Sequence, residues 1–276
     1  MLSKRQQAIQ TMQQHADMLQ CPLCKASMIV ADSGQLQCEH RHSYDIAKQG
    51  YVYLLTKPMQ SMYSKELFEA RHEVIASGLY DEVQQAVAKL LPSGRVLDTG
   101  CGEGSHLVRM LQERPDCTGV GIDIAKEAIV AAAKFATGPI WCVGDLANSP
   151  YAEGSFSSIL NFLSPANYDE FKRLLPQQGV VIKVVPGEGY LKELRAQAFA
   201  NSEKETYSNE QTVQRFEENF ARVEKQRITY TKPLAPNLVP KLLQMTPMGW
   251  HVDKPEAVEL PHITIDVSIL VGYMSM

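Results

Sequence analysis

Four side chains that commonly bind metals lie close together near the start of this sequence. Cys21 and Cys24 are separated by two residues, Cys38 follows after thirteen more, and His42 after another three. Three thiolates and one imidazole in two pairs match a tetrahedral Zn²⁺ site, because each pair fits on a tight turn. Since all four positions around the metal would be filled by protein, the predicted zinc is structural. His40 is the alternative fourth ligand, although the C-x3-H spacing favours His42.

A second run, residues 98–104, reads Asp-Thr-Gly-Cys-Gly-Glu-Gly and lies where a strand pattern gives way to a helical one. Glycine lets the backbone approach a ligand closely, and the following helix begins with unsatisfied N–H groups. A carboxylate at the end of the next strand, Asp123, could accept hydrogen bonds from both hydroxyls of a ribose. The predicted ligand contacts in these two segments are Asp98, Gly100, Gly102, Glu103, Gly104 and Asp123.

A glycine loop of this kind could bind either of two cofactors, NAD or S-adenosylmethionine. A dinucleotide fingerprint needs a third glycine at position 105, where this chain has Ser105. Asp98 and Glu103 would repel a pyrophosphate but attract a sulfonium that also carries an amino group. The pattern therefore favours S-adenosylmethionine (SAM) over NAD. Asp145 follows the third strand pattern and could bind the adenine edge, or it could simply cap a turn.

Strands and helices alternate from Gly94 onward, which predicts an α/β fold with a parallel sheet covered by helices on both faces. The predicted strands are 95–98, 118–122, 140–143, 156–163, 180–184, 221–231 and 263–273. The predicted helices are 105–114, 126–135, 168–175, 189–200, 209–219 and 236–244.

Residues 1–93 precede this pattern and are expected to form three parts. These are an N-terminal helix at 1–20, a zinc-binding ribbon at 21–57 and a helical linker at 58–93, with helices at 65–77 and 80–91. The ribbon strands, 27–30, 35–38 and 51–55, leave too little apolar area for an independent core, so zinc binding would supply the folding free energy. The apolar stripe of the first helix predicts a packing surface, with self-association as the alternative.

Composition excludes two classes of protein. Apolar residues make up 45% of the chain and charged residues 21%, values that are ordinary for a globular protein and unlike those of a disordered one. The apolar runs fall short of the ~20 residues that a membrane helix needs, and the polar N-terminus predicts no secretory signal. We therefore expect a cytoplasmic protein with no membrane partner.

Together, the ribbon and the glycine loop resemble the RlmA family, bacterial 23S rRNA (guanine-N1)-methyltransferases. The resemblance covers nearly the whole chain from Cys21 onward, and its most specific motif is Leu-Leu-Gln-Met-Thr-Pro at residues 242–247. Asp145 makes the loop after the third strand more similar to the Gram-positive branch, whose members methylate a neighbouring guanine in the same rRNA hairpin. The other matching stretches are residues 21–24, 42–45, 47–52, 69–71, 78–80, 96–104, 186–187 and 193–194.

The resemblance implies a SAM-dependent methyltransferase domain over residues 94–276, with a Rossmann-like, seven-stranded mixed sheet that ends in an antiparallel pair. It places the family's zinc ligands on the four residues chosen above. It also implies SAM contacts at Tyr80, Gly102 and Glu103, and a further one at Tyr190, where the family has a histidine. The implied activity is methyl transfer from SAM to N1 of a guanine in a 23S rRNA hairpin, by a protein that forms a homodimer.

Other functions remain open from the sequence. The acceptor could be a protein or small molecule, with the ribbon as a docking module, or the chain could be a non-catalytic RNA-binding protein. No residue stands out as a general base, so the catalytic residues are unknown. Asn161, in the loop after the fourth strand, could bond the edge of the base or only pack the strand end. Met245 and Trp250 could line the acceptor pocket or belong to the core.

Charge limits how RNA could be held. The net charge of −4 excludes a basic footprint over the whole chain, but residues 1–65 carry seven Lys or Arg against four Asp or Glu, a net charge of +3. Because affinity for RNA comes mainly from phosphate neutralisation, we expect this segment to hold the hairpin, with Arg71 extending the surface towards the cofactor. The alternative is an ordinary solvated surface. The candidate contacts in the segment are Lys25, Arg41, Lys48 and Lys57.

Overall fold

The computed structural model describes residues 2–57, 59, 63–199, 206–252 and 254–274. Within these ranges the chain forms a three-stranded sheet and an eight-stranded sheet. The strands are β1 (Met28–Val30), β2 (Gln35–Cys38), β3 (Ser43–Asp45), β4 (Tyr51–Tyr53), β5 (Gly94–Thr99), β6 (Cys117–Asp123), β7 (Ile140–Val143), β8 (Ser158–Phe162), β9 (Val180–Pro186), β10 (Arg222–Pro233) and β11 (His262–Tyr273).

Side-chain caps fix where several helices begin. Ser3 accepts the N–H of Gln6 in a capping box, Ser64 accepts the N–H of Leu67, and Asn167 caps a later helix in the same way. None of the helices in the described ranges has both the length and the apolar character that crossing a membrane would require. The helices are α1 (Lys4–Gln14), α2 (Lys65–Ala76), α3 (Asp81–Leu90), α4 (Ser105–Glu113), α5 (Lys126–Phe135), α6 (Tyr168–Leu174), α7 (Lys192–Ala198), α8 (Glu210–Glu217) and α9 (Val239–Met245).

The large sheet has the strand order β10-β11-β9-β8-β5-β6-β7-β4. Pairing is parallel from β4 to β9, while β11 runs antiparallel to both β9 and β10. This confirms the predicted mixed sheet. Because parallel strands end at the same edge, the segments that follow β5, β6 and β7 lie side by side, which is where such sheets bind ligands.

The sheet has eight strands, so the expected number of seven is wrong. The additional strand is β4, which pairs with β7 in the register Tyr51 to Trp141. The sequence placed this segment in the ribbon, because alternation and β-branched residues predict a strand but not its partner. Tyr51 and Val52 are both buried, so β4 covers the edge of β7 and extends the core of the large sheet.

Apolar residues on both faces of the large sheet make two cores. Val96 and Leu97 are neighbours on β5 and point to opposite faces, as successive strand residues do. Val96 packs in a cluster with residues of α2, α3, α4 and α9, whereas Leu97 packs with residues of α1, α6 and α8. Two of the helices that cover the first face, α2 and α3, belong to the predicted linker segment and pack against the sheet.

Helix α1 lies between the ribbon and the large sheet. Its Ile9 and Met12 are buried. The guanidinium of Arg5 donates to the carbonyls of Ile46 (2.8 Å) and Ser33 (2.5 Å) in the ribbon. The ammonium of Lys4 donates to carbonyls at the C-terminal end of α5, at 2.8 and 2.6 Å. Both parts of the molecule are therefore attached to the same helix.

A second contact joins the ribbon to the large sheet. The ammonium of Lys25 donates to Asn148 Oδ1 (2.5 Å) and to the carbonyl of Ser149 (3.3 Å), in the segment after β7. The side-chain amide of Asn148 in turn donates to the carbonyl of Pro22 at 3.1 Å. Lys25, a candidate for RNA contact, is thus engaged in an intramolecular contact.

Candidate zinc and cofactor sites

The four predicted zinc ligands converge on one point. Their ligand atoms all lie within 4.8 Å of one another. Cys24 Sγ is 3.7 Å from Cys38 Sγ, and His42 Nδ1 is 3.5 Å from Cys21 Sγ and 3.6 Å from Cys38 Sγ. A Zn²⁺ tetrahedron with Zn–S of about 2.3 Å and Zn–N of about 2.0 Å needs separations of about 3.8 Å and 3.5 Å. The donor set and its spacing therefore fit Zn²⁺, and His42 rather than His40 faces the cluster.

Two tight turns hold these ligands. Lys25, after the first Cys pair, and Arg41, before His42, both adopt left-handed backbone conformations, with φ of 61° and 64°. The N–H of Lys25 returns to the carbonyl of Cys21 (2.8 Å), and that of Arg41 returns to the carbonyl of Cys38 (2.9 Å). Left-handed geometry is uncommon outside glycine, so the turns are strained in a way that a metal bond would offset.

The glycine loop joins β5 to α4. Gly100 and Gly102 have φ of +68° and +58°, and Gly104, which precedes the first residue of α4, has φ of +78°. A Cβ atom at Gly104 would overlap the ring of Trp141, so no other residue fits there. The loop is thereby pressed against β7, with its N–H groups near the carboxyl ends of the strands.

Asp98 is buried behind this loop with an unused hydrogen-bonding atom. Its side chain is 1% exposed, and its Oδ1 has no hydrogen-bond partner among the described residues. Burial, followed by the nearby carboxylates of Asp123 and Glu103, raises the pKa of Asp98 well above its usual range. A buried acceptor of this kind needs a donor that the protein does not supply, and the amino group of SAM has that chemistry.

Asp123 ends β6 and holds the loop from the other side. Its Oδ2 accepts the N–H of Gly102 at 2.9 Å, and its Oδ1 accepts the N–H of Ala125 at 2.8 Å. Each carboxylate oxygen has a further lone pair, so ribose hydroxyls can still donate to it. Burial raises the pKa of Asp123, and the two backbone N–H groups oppose that rise.

Glu103 is almost fully buried, at 2% exposure. Its Oε2 accepts hydrogen bonds from the N–H (3.2 Å) and the hydroxyl of Ser105, and His72 Nδ1 lies 3.5 Å away. The ring of His72 stacks on Phe135, with ring centres 3.7 Å apart. Side chains of α2, α4 and α5 therefore fix the orientation of this carboxylate.

These residues surround a cavity of about 660 Å³ at the carboxyl ends of β5, β6 and β7. Gly102 and Gly104 do not line it but shape the loop behind it. The hydroxyls of Tyr80 and Tyr190 lie 2.7 Å apart, and both side chains are buried. The predicted cofactor contacts that line the cavity are Tyr80, Asp98, Gly100, Glu103, Asp123, Asp145 and Tyr190.

Comparison with known proteins agrees with this arrangement. Residues 19–65 match the RlmA N-terminal zinc ribbon, and residues 90–230 match a methyltransferase domain. YxjB of Bacillus subtilis, whose name describes a 23S rRNA (guanine-N1)-methyltransferase, is 40% identical over 92% of this chain and 96% of its own. This chain belongs to the RlmA family.

A second relative is more distant. The 23S rRNA (guanine(748)-N(1))-methyltransferase of Streptomyces fradiae is 29% identical over 92% of this chain and 95% of its own. Among solved structures, YcgJ of Bacillus subtilis is 14% identical, with a TM-score of 0.49, over 71% of this chain and 99% of its own. Membership of the RlmA family confirms the predicted fold class, apart from the strand number, and the predicted cofactors, SAM and structural zinc.

In this RlmA chain Asp145 caps a turn, which is one of the two roles predicted for it, and it also lines the cavity. Its Oδ1 accepts the N–H of Ala147 at 2.8 Å, which caps the 3-10 turn Leu146–Asn148. Its Oδ2 accepts no hydrogen bond from the described residues. Both the turn and the predicted contact with adenine are therefore compatible with its position.

Asn161 packs the end of its strand, which is the second of the two roles predicted for it. The side chain is buried, and its amide donates to Thr99 Oγ1 (3.0 Å), Ser164 Oγ (2.6 Å) and the carbonyl of Pro165 (2.8 Å). The ammonium of Lys183 donates to its Oδ1. Asn161 thus holds the loop after β8, and residues of that loop, rather than Asn161 itself, line the cavity.

The two other candidates for the acceptor pocket differ from each other. Met245 lines the cavity, whereas Trp250 is 50% exposed and its indole N–H donates to the carbonyl of Gln244 at 3.1 Å. The ring centre of Trp250 lies 6.2 Å from that of Tyr63, which is also a cavity residue. Trp250 therefore belongs neither to the core nor to the wall of the cavity.

Sequence reasoning missed one aromatic pair in this site. His106 stacks on Phe162, with ring centres 3.9 Å apart, and its Nδ1 lies 2.9 Å from Gln84 Nε2. Burial lowers the pKa of His106 to about 3, so its imidazole is neutral at physiological pH. The available signal was its position in the first turn of the helix that follows the glycine loop.

Proposed function

We propose that this protein transfers the methyl group of SAM to N1 of a guanine in a hairpin of 23S rRNA. The observation that carries the proposal is the buried Asp98 oxygen, which has no hydrogen-bond partner among the described residues. It lies at the wall of a cavity whose other acids are Glu103 in the glycine loop, Asp123 at the end of β6 and Asp145 after β7. An acidic cavity of this kind suits a cofactor with a sulfonium and an ammonium group. Membership of the RlmA family supports a guanine of 23S rRNA as the methyl acceptor.

The chemistry places two demands on the chain. Guanine N1 carries a proton and is a poor nucleophile, so its proton must leave while the reacting atoms are held in line. A base must also leave its stack to enter a cavity. Phe162, the last residue of β8, lines the cavity together with Ser164 and Pro165 from the loop after it. They offer the base an apolar ring and a hydroxyl oxygen. SAM supplies the methyl group when bound.

Zinc has a structural role in this proposal. Cys21, Cys24, Cys38 and His42 would fill all four positions of the metal, which leaves none for water or substrate. The metal would stabilise the ribbon, whose three short strands bury little apolar surface.

We further propose that the ribbon holds the RNA. Arg41, Lys48 and Lys57 are exposed on this part of the chain, and the described residues give none of them an ion-pair partner. Lys25 is less suited, because its ammonium already contacts Asn148 and Ser149. A homodimer would double this positive charge. We also propose that the protein acts in the cytoplasm, where ribosomal RNA is found.

Primer extension tests the function directly. An N1-methyl group blocks Watson–Crick pairing, so a 23S rRNA transcript treated with the protein and SAM should stop reverse transcriptase at one guanine. Omitting SAM is the control. The same stop should be missing in rRNA from a strain that lacks the protein. Transfer of labelled methyl to protein or a small molecule, with no stop on rRNA, would contradict the proposal.

A further inference from the structure

Acidic residues outnumber basic ones around the cofactor cavity. Among the described residues that line it, the acids are Asp98, Glu103, Asp123 and Asp145, and the bases other than histidine are Arg71 and Arg195. The sulfonium and ammonium groups of SAM suit the acids. Its carboxylate does not, because an anion in such surroundings is repelled unless a cation or several N–H groups meet it.

Arg71 lies directly against the glycine loop. It extends from α2 to a position where a Cβ atom at Gly102 would be 3.1 Å from its Nη1. Its guanidinium carbon is 5.7 Å from the centre of the Phe68 ring, one turn earlier on the same helix. The guanidinium is thus held between a buried aromatic ring and the loop that bears Glu103.

Most hydrogen-bond donors of this guanidinium are unused. Within the described parts of the chain, its hydrogen bond is that from Nη2 to the carbonyl of Met245, at the long distance of 3.5 Å. No carboxylate of those residues lies within ion-pair distance of it. Since an arginine has five N–H donors, Arg71 faces the cavity with the capacity to bind an anion.

Arg71 also acts electrostatically on the neighbouring cofactor contacts. Burial raises the pKa of Asp123 and of Tyr80, and the positive charge of Arg71 opposes the rise at both. Burial lowers the pKa of His106, and Arg71 lowers it further. All three side chains line the same cavity as Arg71.

Arg195, the other cavity arginine, is placed differently. It belongs to α7, and its guanidinium carbon lies 5.0 Å from the centre of the Tyr207 ring. That ring covers one face of the guanidinium. Arg195 is therefore the other cavity arginine that could bind an anion, and its variant serves as the comparison for Arg71.

We propose that Arg71 binds the carboxylate of the methionine moiety of SAM. The inference rests on SAM being the cofactor of the proposed function and adds a residue from the linker to the cofactor site. It predicts that the protein binds a ligand with this carboxylate more tightly than the same ligand without it, and that Arg71 is responsible for the difference in affinity.

Calorimetry with two ligands tests this. The probes are S-adenosylhomocysteine and its decarboxylated analogue, S-adenosyl-3-thiopropylamine, which differ only in the carboxylate. The parent protein should prefer S-adenosylhomocysteine. In Arg71→Gln its affinity should fall about 10- to 150-fold, as for the loss of charge-assisted hydrogen bonds, while affinity for the analogue is unchanged. Arg71→Lys, which keeps the charge without the planar fork, should fall between the two.

Two arginine variants serve as controls. Arg109 lies on α4 outside the cavity and pairs with Asp81 at 3.1 Å, so Arg109→Gln should bind both ligands like the parent. Arg195→Gln should keep the preference for the carboxylate. Thermal unfolding without ligand checks that each variant is folded.

Several results would overturn the inference. Equal weakening of both ligands in Arg71→Gln would mean that Arg71 only supports the loop. An unchanged preference, or its loss in Arg195→Gln instead, would assign the carboxylate elsewhere, and weaker hairpin binding with unchanged preference would make Arg71 an RNA contact. If the parent binds neither ligand, the cofactor assignment fails as well. If it binds S-adenosylhomocysteine with the expected preference but does not methylate rRNA, only the acceptor is wrong.

Discussion

The hydroxyl oxygens of Tyr80 and Tyr190 lie 2.7 Å apart, although 110 residues separate them in the sequence. Tyr80 comes directly before α3, and Tyr190 lies between β9 and α7. Burial raises the pKa of both hydroxyls, so each stays protonated and one donates to the other. This hydrogen bond joins the linker to the methyltransferase sheet at the wall of the cofactor cavity.

Tyr80→Phe and Tyr190→Phe should each destabilise the protein, because each leaves one buried hydroxyl without a partner. The cost is about 1–3 kcal/mol for either single variant. The double variant should cost less than the sum, since no unpaired hydroxyl remains. Urea unfolding of all four proteins gives the coupling energy, and strictly additive losses would show that the hydroxyls do not interact.

Asp123→Ala should weaken SAM binding by about 10- to 150-fold, because ribose hydroxyls and the N–H of Gly102 lose the same acceptor. Calorimetry measures the affinity. Asp169→Ala, an exposed acid on α6, is the matched control and should bind SAM like the parent. Unchanged affinity in Asp123→Ala would remove this residue from the cofactor site.

Cys24→Ser should release the metal, because a hydroxyl replaces one of four ligands. Elemental analysis should find one zinc per parent chain and none in the variant. Thermal stability should also fall, since the ribbon carries β4 into the large sheet. Cys117→Ser, at a cysteine outside the cluster, should keep its zinc. Freshly purified parent protein without zinc would contradict the assignment.

Replacing Arg41, Lys48 and Lys57 with glutamine should weaken binding to the rRNA hairpin and flatten its dependence on salt. Each phosphate that is no longer neutralised reduces the slope of log affinity against log salt by about 0.9 on duplex RNA, taking the value for duplex DNA. Filter binding between 0.05 and ~0.2 M salt measures the slope.

Lys25→Gln is the matched control for that experiment. Because the ammonium of Lys25 contacts Asn148 and Ser149, the change should lower stability while leaving the salt slope as in the parent. If the triple variant binds the hairpin like the parent, the ribbon is not the RNA contact. If Lys25→Gln alone flattens the slope, its ammonium reaches the RNA.

Lys183 should give stability a measurable pH dependence. Burial lowers its pKa to about 8 from an ordinary value of 10.5, so the unfolded chain binds more protons than the folded chain between those values. The contribution of Lys183 to the unfolding free energy therefore rises with pH over that range, by at most roughly 3 kcal/mol.

Comparison of the parent with Lys183→Met isolates this contribution. Urea unfolding from pH 7 to 10 should show a positive difference in slope above pH ~8, where the folded lysine loses its proton. Lys89→Met, an exposed lysine on α3, should show none. Identical slopes in parent and Lys183→Met would place the pKa of Lys183 near its ordinary value.

Local sequence patterns were sufficient where an apolar segment has clear ends. Helix α5 and strand β7 begin and end at the residues predicted for them. Helix α5 buries an alanine-rich face, and all four residues of β7 are buried. Strand β3 was missed, since its Ser43 and Asp45 are exposed and carry no apolar alternation. The partner of β4 was also missed, because pairing depends on which sheet edge is free, and that is a property of the whole fold.

The residues of the candidate site also differ in how far the sequence could predict them. Asp98 and Asp123 were predicted from spacing, since a strand end and a glycine loop imply where a carboxylate lies. Tyr80 and Tyr190 came from family resemblance alone, because nothing local distinguishes a buried tyrosine at a cavity from one in the core. His106 was missed, because its stacking on Phe162 brings together two distant segments.

The position of β4 links the ribbon directly to the sheet that forms the cofactor cavity. The ribbon ends in a strand of the large sheet, and α1 and Lys25 attach it at two further points. In the part of the chain that the structure describes, these three attachments tie the ribbon to the sheet that forms the cavity. If the ribbon holds the RNA as proposed, the distance between ribbon and cavity should help to select which guanine is methylated. Lengthening the hairpin stem by one base pair between the two should move the methyl group to a different nucleotide or abolish the transfer.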